Sequence, residues 1–223
     1  MNVRRKNLNR RKKMFNVFDP GSKFAEQYRI IRTNILFSSS NEKIQSIVVT
    51  SAATGEGKTT TVANLGAVMG QQGKRVLIID ADLRKPTLHK FFDKNNYNGL
   101  TNILLSNDSL DEVVMPTTIE NLDILTSGAI TAVDQDLLGS DLLLKLMERM
   151  KKVYDIILID SPPIVENADA QILANICDGS LLVMKSGKTK KDKVAIAKNN
   201  LMNCKAKLLG AVLNEKKSPK VVI

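Results

Sequence analysis

Two hydrophobic rhythms alternate along the chain. Short continuous aliphatic or β-branched runs mark buried strands: Ile47–Thr50, Arg75–Asp80, Leu122–Leu125, the run that opens at Tyr154 and ends at Asp160, Gly179–Met184, and Leu208–Leu213 closing at Asn214. Between them, helical spacing predicts Lys23–Ser38, with Phe24, Tyr28, Ile31 and Ile35 on one side, then Thr59–Gly70, Leu88–Phe92, Gly99–Leu105, Leu142–Lys152, Ala168–Asn175 and Lys190–Asn203. Pro20-Gly21-Ser22 and Gly73 punctuate the chain, Gly128–Gly139 reads as a loop, and no internal repeat is present. Strand alternating with helix predicts an α/β fold: a doubly wound, mostly parallel sheet with helices on both faces.

Composition narrows this without changing it. At 223 residues, 43% hydrophobic and 25% charged, the chain suits one soluble domain spanning about 20–215. It has no apolar run near the ~20 residues of a membrane span, and no apolar segment follows the N-terminal charges, so a cytoplasmic location is expected. Cys177 and Cys204 lack metal-ligand or redox spacing, and the lone His89 excludes mechanisms that need a histidine pair. Charge is uneven. Residues 1–13 hold seven basic side chains and no acid, most of the net +10, and define residues 1–19 as a flexible basic arm suited to an anionic membrane surface or to solvent. Aromatic residues make up 4% of the chain and do not interleave with these charges, which argues against nucleic acid.

The candidate chemistry sits at strand ends. Ala52 to Thr59, AATGEGKT, follows a strand and opens a helix, and its Gly57-Lys58-Thr59 completes a variant of the GxxxxGK[ST] phosphate loop. Backbone N–H groups at a helix N-terminus bind phosphate, Gly55 and Gly57 permit close approach, Lys58 supplies a point charge, and the Thr59 hydroxyl suits a partly hydrated Mg²⁺. The bland alternative is a glycine turn with an exposed lysine. Asp80 and Asp82 close the second strand in IIDADLRKP, where parallel sheets present ligand-facing residues; one can hold metal-bound water while the other takes a proton from a hydroxyl. Alternation puts the pair on one side. Equally, they can be turn or N-cap aspartates. Arg84 and Lys85 can hold phosphates. Asp160 ends IILID, the Walker B pattern, and Pro162-Pro163 turn the chain over the site. Glu26, Arg29 and Arg32 lie three apart on one helix face, a solvated ion-pair ladder when read alone.

Together these segments resemble a bacterial tyrosine kinase of the capsule and exopolysaccharide type, a P-loop ATPase related to the partitioning and division-site ATPases. The resemblance spans roughly residues 20–214 and is carried by EQYRIIRTNI, TSAATGEGKTTTVANL, VLIIDADLRKPTLH, NGLTNILL, LDILTSG, YDIILIDSPP with DAQILA, and GAVLN. It implies ATP and Mg²⁺ as cofactors, with nucleotide on Thr54, Gly55, Glu56, Gly57, Lys58, Thr59 and Thr60. Asn214 falls where related ATPases read adenine. Thr59, Asp80, Asp82 and Asp160 would serve the metal; Lys58, Asp80, Asp82 and Asp160 would be catalytic, with Asp82 the base toward tyrosine. Glu26, Arg29 and Arg32 match the family's oligomerisation motif, which implies a homo-oligomeric ring. The implied partners are a membrane co-polymerase, through which the chain would reach the membrane, and protein tyrosine substrates. Two departures are plain: Thr131-Ala132-Val133-Asp134 replaces a PPNP loop, and the tail 216–223 carries no tyrosine cluster, so a ring would lack self-release through its own tail. Two other readings stay open. One is a nucleotide-dependent scaffold of the same export system without kinase activity; the other is a partitioning-type ATPase, for which Ala53 stands where a signature lysine is needed.

Overall fold

A strand that is apolar on every residue has to be covered on both sides, and this chain has several. The computed structural model describes residues 22–38, 43–106, 109–129 and 137–216. The basic arm, the Thr131–Asp134 departure and all but the first residue of the 216–223 tail therefore lie outside the described residues. In chain order the elements are α1 (Lys23–Ser38), β1 (Ser46–Ser51), α2 (Lys58–Gly70), β2 (Val76–Asp80), α3 (Leu88–Phe92), α4 (Leu100–Ser106), α5 (Leu110–Val113), β3 (Met115–Pro116) and β4 (Leu122–Leu125). A 3₁₀ turn at Leu137–Gly139 leads to α6 (Asp141–Val153), β5 (Ile156–Asp160), α7 (Asp169–Ile176), β6 (Gly179–Lys185), α8 (Lys191–Met202) and β7 (Lys207–Asn214).

The seven strands pair in the order β3-β4-β2-β5-β1-β6-β7. All pairings are parallel except β3 with β4. This is the expected doubly wound sheet, with β1 and β5 side by side at its centre. Side-chain alternation divides the core into two layers. Val48, Leu77, Ile79, Ile157 and Ile159 point to one face, where Leu143, Leu146 and Met150 of α6, Leu173 of α7 and Leu201 of α8 cover them. Ile47, Val49, Val76, Ile78 and Leu158 point to the other, against Ile35 of α1 and Val62, Leu65 and Val68 of α2. Burying each such side chain is worth about 1.5–3 kcal/mol. Helix α6 shows how local rules and packing agree: the Ser140 hydroxyl caps its N-terminus by accepting from Leu143 N–H, Lys151 and Lys152 close its last turn, and Leu143, Leu146, Met147 and Met150 form its buried stripe.

Helix and strand bounds match the sequence expectation to within two residues for most elements. Two elements escaped it: α5, a single turn, and β3, two residues ending in Pro116. Neither is long enough to show a period, and the proline is tolerated because β3 is an antiparallel edge strand.

One polar contact sets the start of two central strands. The Asp178 carboxylate accepts from Gln45 N–H at 3.0 Å, from Ser46 N–H at 2.8 Å and the Ser46 hydroxyl at 2.9 Å, and pairs with Lys151 Nζ at 2.7 Å. It thereby ties the end of α6 to the entries of β1 and β6. Burial alone would push its pKa up, but the Lys151 ammonium and the N–H donors outweigh burial and hold it below the ordinary carboxylate value. A depressed carboxylate stabilises the fold above its unfolded pKa, and that stability is lost as pH falls through the folded value. Asp178→Ala is therefore expected to lower the unfolding free energy at neutral pH by about 1–3 kcal/mol. The difference from wild type should shrink as pH falls below about 4, followed by urea unfolding at pH 7 and pH 3.

Candidate nucleotide site

The loop between β1 and α2 is shaped by its glycines and tied down by one buried acid. Gly55 and Gly57 adopt positive φ angles of 81° and 102°, which L residues rarely take. No side chain caps α2, so the amide groups of its first turn are open to an anion. Lys58, the first helical residue, is buried, and its ammonium makes no ion pair among the described residues. Glu56 is buried too. One of its carboxylate oxygens accepts from Ala52 N–H at 3.0 Å and Ala53 N–H at 3.1 Å, and the other accepts from the Thr189 hydroxyl at 2.5 Å, fastening the loop to the segment after β6. Asn214, at the end of β7, lies against this loop: its Nδ2 donates to the Glu56 carbonyl at 2.9 Å, and a Cβ on Gly57 would come within 1.9 Å of that nitrogen.

The carboxylates converge beside the loop because β2 and β5 are adjacent and in register, with Asp80 opposite Asp160. Thr59 Oγ1 donates to Asp160 Oδ2 at 2.5 Å, and the other Asp160 oxygen is buried with no hydrogen-bond partner among the described residues. Burial raises the Asp160 pKa to about 7, with Asp82 adding to the rise while the Thr59 hydroxyl and Lys58 oppose it. Asp80 is pushed well above the carboxylate range by burial first and then by the Asp160 charge. Two such carboxylates side by side favour a cation. An orphan buried oxygen, a neighbouring threonine hydroxyl and a second carboxylate fit a Mg²⁺ that keeps several waters, the coordination Mg²⁺ prefers. Among the described residues, no group of three or more histidine, cysteine or acidic side chains is placed to hold a metal ion.

Asp82 has a different environment from Asp80. β2 ends at Asp80, so the chain has left the strand by residue 82, and strand alternation no longer relates the two. Asp80 Oδ2 accepts from Thr87 N–H at 3.0 Å and Leu88 N–H at 2.9 Å, and Oδ1 from Asp82 N–H at 3.3 Å, so it also holds the turn in place. Asp82 is half-buried, and its Oδ1 accepts from Lys85 N–H at 3.1 Å.

The phosphate loop, Asp80, Asp82, Asp160 and Asn214 thus gather at the C-terminal ends of β1, β2, β5 and β7. Thr54 lies at the rim, its hydroxyl donating to Glu166 at 3.1 Å, and Thr60 sits in the first turn of α2, its carbonyl accepting from Asn64. Glu26, Arg29 and Arg32 are elsewhere, on α1. Arg29 pairs with Glu26 at 2.8 Å, while Arg32 folds onto α2 and donates to the Val68 carbonyl at 3.0 Å. Sequence reasoning missed Thr87, whose hydroxyl lies 2.8 Å from that of Thr59; a hydroxyl seven residues after Asp80 was the signal. It also missed Glu166 and Thr189, which carry no local signal because the fold alone brings them to the loop.

This geometry defines a P-loop nucleotide-binding protein. The AAA domain family matches residues 44–188. Tyrosine-protein kinase YwqD of Bacillus subtilis (strain 168) is 50% identical over 202 residues, covering 91% of this chain and 85% of YwqD. The crystal structure of the chimerical protein CapA2B2 superposes with a TM-score of 0.86 at 38% identity, covering 90% of this chain and 88% of that one. The kinase domain of the Escherichia coli tyrosine kinase ETK gives 0.84 at 28% identity, covering 91% and 81%. The chain belongs to the bacterial tyrosine-protein kinase family.

Gly57 offers a direct check on the loop. Gly57→Ala would meet both the positive φ and the Asn214 side chain, and is expected to weaken ATP binding by at least about tenfold in calorimetric titration. Adding Asn214→Ala should restore only part of the loss, because the backbone strain remains.

Proposed function

We propose that the chain is an ATP-dependent protein-tyrosine kinase that acts in capsule or exopolysaccharide synthesis and export together with a membrane co-polymerase partner. The observation that carries this reading is Asp82, half-buried on the turn after β2 and near enough to the buried Thr59–Asp160 pair for its charge to act on Asp160. ATP phosphates would lie on the first turn of α2, with Lys58 against the β and γ phosphates. Thr59 and Asp160, with Asp80 behind them, would hold Mg²⁺, which when bound neutralises charge developing on the transferred group. Asp82 takes the tyrosine O–H proton as that oxygen forms its bond to the γ phosphorus; the bond to the bridging oxygen breaks, and ADP leaves. An aspartate with an ordinary acceptor geometry suits this role better than the fully buried Asp80 or Asp160.

A partitioning-type ATPase is disfavoured by Ala53, since that reading needs a lysine at this place in the loop. A scaffold without kinase activity would bind the same nucleotide and transfer nothing. Lys58→Met and Asp82→Asn are each expected to lower phosphotyrosine formation by at least about two orders of magnitude, the scale of one preorganised electrostatic group. The assay is incubation with labelled ATP and the partner's cytoplasmic segment. Asp160→Asn should in addition abolish the Mg²⁺-dependent part of the thermal shift given by ATP. Phosphotyrosine absent from wild type under these conditions would leave the scaffold reading.

The Glu26–Arg29 pair supports ring assembly through α1. Glu26 is exposed and pairs with the half-buried Arg29 three residues on, so the pair lies on the surface of α1. Arg32 is committed to the Val68 carbonyl of its own chain, so its substitution would also disturb α1 against α2. Glu26→Ala with Arg29→Ala is therefore the cleaner variant, and sedimentation is expected to show it shifted to monomer while its unfolding free energy stays within about 0.5 kcal/mol of wild type, as for surface changes.

A further inference from the structure

Immediately beyond Asp82 the chain builds a second concavity. A cavity of about 470 Å³ is lined by Arg84, Lys85, Pro86, Thr87, His89 and Lys90, with Asn96 closing one side. No residue of the phosphate loop lines it. Its charged lining is entirely basic. Arg84 is partly engaged by Asp169 at 3.5 Å, whereas Lys85 and Lys90 are exposed and make no ion pair among the described residues. His89 Nδ1 is buried without a hydrogen-bond partner there. The volume is within the range of pockets that take small ligands or a single side chain.

Two hydrogen bonds join this cavity to the reacting centre. Thr87, in its wall, has its hydroxyl 2.8 Å from Thr59 Oγ1, which donates to Asp160. Lys85, whose side chain lines the cavity, donates its N–H to Asp82, the carboxylate proposed to take the tyrosine proton. A peptide with its tyrosine hydroxyl at Asp82 therefore has a nearby residue at the cavity. Cations gathered in one concavity are stabilised by an incoming anion, through charge-assisted hydrogen bonds stronger than neutral ones.

We propose that this cavity is a specificity site that binds an anionic side chain, carboxylate or phosphate monoester, next to the acceptor tyrosine of the protein substrate. The inference rests on the kinase reading for the placement of the tyrosine, but the charge selectivity of the cavity can be measured without phosphoryl transfer. Fluorescent peptides with one tyrosine and one Glu, phosphoserine or Gln, moved along the peptide on either side of the tyrosine, are titrated into the full chain and followed by anisotropy. At one spacing, the Glu or phosphoserine peptide is expected to bind at least about tenfold more tightly than the Gln peptide, the scale of one charge-assisted contact. Whichever of the two anions binds more tightly identifies the natural group. Lys85→Ala with Lys90→Ala should remove the discrimination, and the Lys85→Arg, Lys90→Arg pair should keep it. Equal binding of charged and Gln peptides at every spacing overturns the proposal, as does discrimination that survives in the alanine variant. Selective binding with no phosphate transferred to any peptide upholds the cavity and overturns the kinase reading. Phosphorylation of Glu, phosphoserine and Gln peptides with the same kcat/KM upholds the kinase and overturns the cavity.

Discussion

Two carboxylates buried side by side at the ends of β2 and β5 impose the condition that the rest of the site satisfies. Asp80 and Asp160 are in register on adjacent parallel strands and almost wholly removed from water. Burial lifts both above the usual carboxylate range, and the Asp160 charge raises Asp80 further. The surroundings compensate in two ways. Asp80 collects three backbone N–H groups from the turn that follows it, and Asp160 takes the Thr59 hydroxyl on one oxygen while the other has no hydrogen-bond partner among the described residues. That imbalance is the physical case for a cation beside them, at the end of the sheet where the phosphate loop also lies.

The same constraint gives the aspartates different surroundings. Asp80 is too buried and too committed to the turn to exchange protons with a substrate, whereas Asp82, one step past the strand, keeps solvent access and a single N–H donor on its side chain. The turn that Asp80 organises also carries Lys85 and Thr87 and leads into α3 with Lys90, so one buried carboxylate places both Asp82 and the basic cavity beside it. On the opposite side of the loop, Glu56 performs a comparable service with Thr189 and the Ala52 and Ala53 amides, linking the phosphate loop to the segment after β6.

Tyrosine placement bears on which hydroxyls can act as acceptors in this chain. Tyr154 is buried and donates to Asp123 at 2.9 Å, and the Tyr28 hydroxyl is engaged with Asn64 and Thr61 of α2. Tyr97 is 78% exposed, in the stretch next to Asn96 of the basic cavity. Among the described residues, no helix is long and apolar enough to cross a membrane.

The sequence by itself determined most of the layers and the nature of the site. Continuous apolar runs such as Ile47–Thr50 and the run ending at Asp160 can only be strands covered on both faces, and a glycine loop between strand and helix can only present amide groups at a helix end. These are local properties, legible from a few neighbouring residues. What the sequence left open was every relation between distant segments. Strand order put Asp160 opposite Asp80, closed the loop with Thr189 and Asn214, and set Thr87 against Thr59; the strand stops at Asp80, and the turn after it keeps Asp82 near enough for its charge to act on both Asp80 and Asp160. Ion-pair spacing on α1 likewise could not show that Arg32 turns inward to Val68 while Arg29 stays with Glu26. Burial, register and through-space charge depend on which surfaces the fold brings together, and only the tertiary structure decides that.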